Sequence, residues 1–190
     1  MKTALTVLAV TLAAAPALAG QDYKSAILQL VERHLRADIA TPLVIAAIEE
    51  QNAQHAALDQ AGVDALDKQW RAEIAGGGGP LITETMANPI STYLKAVQDR
   101  HGGLVTEIFV MDNLGLNVGQ SEKTSDYWQG DEAKFQQTYP LGAEAVFVDE
   151  VDLDESTQTM QSQVSFTLVD AAGRPVGAVT VGVNVDALLN

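Results

Sequence analysis

The chain has 190 residues, of which 47% are hydrophobic, 11 are basic and 25 acidic, for a formal net charge of −14, and it has no cysteine. That length and apolar content suit one domain with its own core. The missing cysteines exclude disulfides, thiol nucleophiles and thiolate metal sites, and the negative charge disfavours nucleic acid and anionic membrane surfaces as partners.

The first segment, residues 1–19, reads as a secretory signal. Lys2 supplies a positive start, residues 4–14 are an apolar run, and Ala17-Leu18-Ala19 precedes Gly20 as a small-residue cleavage pattern. The run is shorter than the ~20 apolar residues of a membrane span, and no later segment approaches that length. The expectation is cleavage after Ala19 and an exported, periplasmic protein with no membrane insertion after cleavage.

Residues 22–58 read as helix. Ile27, Leu30, Val31, Leu35 and Ile39 recur at spacings of three and four. Thr41-Pro42 interrupts the pattern, either as cap and first residue of a second helix or as a kink in one long helix. Gly62 marks a break, and residues 64–74 form a short helix containing Leu66 and Trp70. Gly76-Gly77-Gly78-Gly79-Pro80 is the strongest breaker. No Gly-Lys-Ser/Thr follows it, so it is a flexible connector and not a phosphate loop. Residues 91–100 are helical, with Ser91 as cap and His101-Gly102-Gly103 as stop.

From Leu104 the period changes to two. Strands are predicted over residues 105–111, 116–120, 145–151, 160–169 and 176–185, with a short helix over 131–139. In the fourth strand Met160, Val164, Phe166 and Leu168 share one face, and Gln161, Gln163, Ser165 and Thr167 the other. In the fifth, Val179, Val181, Val183 and Val185 oppose Ala178, Thr180, Gly182 and Asn184. The apolar face must pack on something; the small, polar face is either solvated or lines a cavity. The fold class is α+β: a helical region over residues 20–103, then a five-stranded antiparallel sheet over 104–190.

The densest chemistry lies between the second and third strands, in Ser125-Asp126-Tyr127-Trp128-Gln129-Gly130-Asp131-Glu132-Ala133-Lys134-Phe135. Aromatics are 5% of the chain, so rings gathered here with carboxylates and a lysine suit a small polar ligand, or a helix start whose rings plug the core.

Three segments resemble the extracytoplasmic PAS-like sensor module called a Cache or PDC domain, in its stand-alone, single-module form. They are the strand and turn Glu107-Ile108-Phe109-Val110-Met111-Asp112-Asn113-Leu114-Gly115, the segment from Thr124 to Phe135, and the turn Asp170-Ala171-Ala172-Gly173-Arg174-Pro175-Val176-Gly177 with the final strand. The resemblance implies a PAS-like sheet behind a long N-terminal helix. It also implies a ligand pocket between the sheet and the segment joining strands two and three. Tyr127 and Trp128 would wall that pocket, Lys134 would meet a ligand carboxylate, Gln163 and Ser165 would hydrogen-bond from the sheet, and Asp126 would be a further ligand-binding residue. The implied role is sensing a small solute for signal transduction. With no membrane helix read after the sheet, the signal is expected to pass to a separate membrane receptor or kinase.

Three other readings bear on the same residues. Asp149, Glu150, Asp152, Asp154 and Glu155 are dense enough to suggest a divalent cation, but no EF-hand spacing is present, and a solvated loop is expected instead. His34, His55 and His101 are scattered, with His34 and His55 expected at the surface, and neither H-E-x-x-H nor G-x-S-x-G occurs, so neither catalysis nor a cofactor is expected. The stripe from Ile27 to Ile39 either pairs two copies into a homodimer, or joins a partner protein, or is buried on its own sheet.

Overall fold

The computed structural model describes residues 17–154 and 159–190. Most of the expected signal segment, residues 1–16, lies outside the described residues, as does Glu155 of the acidic loop. Among the described residues no helix is long and apolar enough to cross a membrane.

The N-terminal helical run comprises α1 (Ala17–Leu30), a wide turn at Val31–Leu35 with π-type bonding, and α2 (Arg36–Ile39). Tyr23, Ile27, Val31, Leu35 and Ile39 fall at every fourth position, and all are buried. On a regular α-helix a spacing of four drifts by about 40° per step. The wide turn takes up more residues per revolution, which returns the stripe to the sheet. The stripe thus packs on its own chain: Ile27, Val31, Leu35 and Ile39 share one core with Val164, Phe166, Val179 and Val181.

Thr41 caps α3 (Pro42–Gln54), its hydroxyl accepting from Val44 N at 3.4 Å, with Pro42 as first residue. The chain therefore starts a second helix and does not kink a single one. The next break falls before Gly62. Asp59 caps α4 (Gln60–Ala75) by accepting from Gly62 N at 2.9 Å, which places the glycine in the first turn. A capping side chain outweighs the small cost of a glycine where the helix has few internal bonds to lose.

The glycine run is a pinned turn. Gly77 and Gly78 take positive φ, and Pro80 opens a helix the periodicity did not announce, α5 (Pro80–Ala87). Gly79 has no side chain to cap it, so Glu73 of α4 does so, accepting from Leu81 N at 3.2 Å and Ile82 N at 2.9 Å. Partial desolvation works against the charge, yet the bonds from Gln69 and these two amides hold the Glu73 carboxyl below its ordinary value. α6 (Pro89–Arg100) starts earlier than Ser91 because Asn88 caps it, accepting from Ser91 N at 2.7 Å. Ser91 is instead a buried tie: its hydroxyl donates to Thr85 O at 2.6 Å and accepts from Gln120 N at 2.9 Å.

Among the described residues the sheet has six strands: β1 (Val105–Met111), β2 (Asn117–Gln120), β3 (Val146–Val148), β4 (Asp152–Asp154), β5 (Thr159–Val169) and β6 (Pro175–Asn184). Five of them run in the order β2-β1-β6-β5-β3, all antiparallel, which is the PAS-like path; β4 pairs separately with β5. The predicted third strand, 145–151, is shortened to β3, and β4 lies beyond its predicted end; between them Asp149 turns its carboxylate onto the next backbone amide, that of Glu150. Between β2 and β3 lie α7 (Ala133–Gln136) and a 3₁₀ turn, Tyr139–Leu141. The last strand stops one residue early because Asn184 caps a final helix, α8 (Val185–Leu189).

One face of the sheet, with Ile108, Val110, Val164, Phe166, Val179, Val181 and Val183, lies under the helices. Burying each large apolar side chain there contributes roughly 1.5–3 kcal/mol. Met160, expected on this face, is 39% exposed at the start of β5. Gly177 is required where β6 passes β1: an added Cβ would collide with the Met111 carbonyl oxygen.

Candidate functional site

The opposite face of the sheet is small and polar, and it is covered. Register sets two rows across it: Gln120, Phe109, Thr180, Ser165 and Phe147 in one, Asn117, Met111, Ala178 and Thr167 in the next. Ser165 and Thr180 are both fully buried, with hydroxyls 2.9 Å apart. The cover is α7 and the turn after it. Phe135 stacks on Tyr139 with ring centroids 5.4 Å apart and packs with Phe109, Met111 and Ala178. Lys134 extends over the Phe109 ring, its Nζ 5.4 Å from the centroid and 3.0 Å from Glu132 Oε2, with a side chain only 14% exposed.

At the β2 edge of this face sits a cluster of amides. Asn117 Nδ2 donates to Gln120 Oε1 at 2.9 Å, Thr124 Oγ1 at 3.0 Å and Asp126 O at 3.4 Å. Gln129 Nε2 donates to Asp126 Oδ1 at 2.7 Å and Asp126 O at 3.2 Å. These acceptors fix the orientation of each amide. Three atoms are left over, Asn117 Oδ1, Gln120 Nε2 and Gln129 Oε1, buried without a protein partner, as is Thr167 Oγ1 in the second row. The amide cluster presents acceptors from Asn117 and Gln129 and a donor from Gln120, while the Thr167 hydroxyl lies three strands away across the same face, beyond Met111 and Ala178.

The residues predicted for the site divide between the two sides of the sheet. Lys134 and Ser165 lie at the covered polar face, and Asp126 anchors the amide cluster while its Oδ2 reaches Arg71 at 3.3 Å. Gln163 lies one step further along the same face and is engaged, its Nε2 donating to Glu107 Oε1 at 2.9 Å. Tyr127 and Trp128 turn the other way. Asp67 of α4 accepts from both of their backbone amides, at 2.9 and 3.1 Å, and draws the segment onto the helices. The Tyr127 ring stacks on Trp70 with centroids 5.3 Å apart, and burial pushes its phenol pKa up to about 12. The Trp128 indole donates to Leu114 O at 2.8 Å. Sequence reasoning passed over Asn117, Gln120 and Gln129. The available signal was two amides in the otherwise apolar strand Asn117-Val118-Gly119-Gln120.

His55, expected at the surface, is half-buried, with Nδ1 2.8 Å from Asp112 Oδ2. Among the described residues no group of three or more His, Asp or Glu side chains could hold a metal ion. In the acidic loop Glu150 is paired with Lys24 at 2.6 Å.

No family model matches this chain, and no curated protein matches it. Solved structures do. The sensor domain of the V. cholerae histidine kinase DctB aligns with 88% of this chain at 12% identity and a TM-score of 0.47. The ligand-binding domain of the Pseudomonas aeruginosa amino acid chemoreceptor PctC, in complex with GABA, aligns with 90% at 15% identity and a TM-score of 0.46. The sensory domain of the Campylobacter jejuni chemoreceptor Tlp3, with isoleucine bound, aligns with 87% at 15% identity and a TM-score of 0.40. The alignments cover 54%, 61% and 64% of those chains, so this chain spans less than two thirds of their length. Likeness at these scores assigns no activity.

Proposed function

We propose that this chain is an exported, periplasmic sensor or binding domain of the Cache type, which holds a small polar solute at the covered face of its sheet and signals through a separate membrane receptor or kinase. One observation carries this reading: Asn117 Oδ1, Gln120 Nε2, Gln129 Oε1 and Thr167 Oγ1 are buried at that face without a protein partner. A buried polar atom left unbonded costs about 1–3 kcal/mol, and a solute that bonds these atoms removes the cost. Lys134, held over Phe109 with little exposure, adds a positive charge beside the same face. The resemblance of the sequence to Cache modules supports the same location, under the segment that joins the second and third strands.

The test is thermal unfolding of the full chain against organic acids, amino acids, amines and divalent cations. A ligand at a hundredfold excess over its Kd stabilises by about 2.7 kcal/mol. The expected result is a rise in Tm from one class of solute, reduced in Thr167→Val and in Gln120→Leu. A panel with no effect, or a rise unchanged in both variants, overturns the assignment.

A further inference from the structure

On the helix side of the sheet, between α3, α5 and α6, lies a cleft of about 550 Å³. It is separate from the covered face: Val118 lines it, and none of Asn117, Gln120, Gln129 or Thr167 does. Its walls are mixed: Leu43, Leu66, Leu81 and Ile90 with the Tyr127 ring form the apolar part, and Gln51, Gln54, Thr85 and Asn88 a polar part. Its charged residues are Glu50 and Glu84, and neither lysine nor arginine lines it.

His55 also lines the cleft, and its chemistry there is set from below. Asp112 is fully buried. Its Oδ1 accepts from Leu114 N and Leu116 N, each at 2.9 Å, and its Oδ2 accepts from Gln51 Nε2 at 3.0 Å and faces His55 Nδ1 at 2.8 Å. The contact with this carboxylate fixes the position of the imidazole on the cleft wall. Two carboxylates thus line a cleft with partly apolar walls and no lysine or arginine, and 550 Å³ lies within the usual range for small-molecule sites. The field at Tyr127 has the same sign: burial is the main cause of its raised pKa, and the charges of Asp112 and Glu84 add to it.

We propose that this cleft is a second binding site, for a small organic cation: an amine with a short apolar body, its ammonium met by Glu50 and Glu84 and its body lying against Leu43, Leu66 and Leu81. The Tyr127 ring offers the same cation an aromatic face.

The test is calorimetric titration of the full chain with hexylamine, and with hexanol and hexanoate as neutral and anionic matches of the same length. Hexylamine is expected to bind, and to do so at least about tenfold more tightly than either match. Glu84→Gln and Glu50→Gln are expected each to weaken it several-fold, while Thr167→Val, on the other face of the sheet, leaves it unchanged. Absence of binding by hexylamine, equal binding of hexanoate, or indifference to both glutamate variants overturns the proposal. Loss of hexylamine binding in Thr167→Val also overturns it, by placing the amine on the covered face. Because the variants for the two faces differ, failure here leaves the assignment of the covered face standing, and the reverse.

Discussion

Ser165 and Thr180 oppose each other across β5 and β6 with hydroxyls 2.9 Å apart, and neither reaches solvent. Each has the other as its side-chain partner, in a face otherwise filled by Phe109, Met111, Ala178 and Phe135. Removing one hydroxyl strands the other, whereas removing both does not. Ser165→Ala is therefore expected to destabilise the chain by about 1–2 kcal/mol, and the double variant with Thr180→Val by less than the sum of the single changes. Urea unfolding of the four proteins measures the coupling; additive effects would contradict the pairing.

Thr167 presents the opposite case, since its hydroxyl has no protein partner and is 98% buried by the complement of its 2% exposure. Thr167→Val replaces it with a methyl of similar size. The solute-free protein is expected to gain about 1 kcal/mol, while the response to a solute weakens. A stabilised variant with an unaltered solute response would remove Thr167 from the site.

Asp112 gathers four bonds in full burial, from Leu114 N, Leu116 N and Gln51 and with His55. Asp112→Ala leaves both amides and two side chains without their acceptor and opens the turn at Gly115. The expected loss is about 3–5 kcal/mol, read as a fall in the urea midpoint. A loss under about 1 kcal/mol would mean that water replaces the carboxylate.

Glu73 caps α5 across the glycine turn. Its folded carboxyl lies below its ordinary value of 4.5, so the folded state binds the proton less readily than the unfolded state. The stabilisation is complete above about pH 4.5 and is lost as pH falls through the folded value. Glu73→Gln is expected to lower Tm at pH 7, with the difference from the parent shrinking below pH 4.5. A difference independent of pH would assign Glu73 a packing role alone.

Tyr127 and Trp70 stack inside a small core with Val63, Ile82 and Leu116. Tyr127→Ala is expected to cost about 3–5 kcal/mol, the range for a truncated buried aromatic. Tyr127→Phe keeps the stack and is expected to cost under about 1.5 kcal/mol. Thermal unfolding compares the two, and Tyr127→Phe is the variant suited to binding measurements.

The layout of helices followed by an antiparallel sheet was legible because it rests on local period. Residues Tyr23 to Ile39 repeat every fourth position, and Val179, Val181 and Val183 alternate with Ala178, Thr180 and Gly182. Either pattern buries one face whatever lies elsewhere in the chain. The sequence by itself thus determined the order of helices and sheet and the small, polar second face, while the Thr41 cap and the packing of the Ile27–Ile39 stripe on its own sheet were decided by the tertiary structure. Only the tertiary structure decided which side of the sheet the segment 125–135 serves. Asp67, some 60 positions away in sequence, takes the Tyr127 and Trp128 amides to the helices, while Lys134 and Phe135 fold over the polar face. The amide cluster of Asn117, Gln120 and Gln129 was likewise hidden, since its members meet only when residues 126–129 return alongside β2. Contacts of that kind have no period. They are set by which distant donors and acceptors the packed core brings within hydrogen-bond reach.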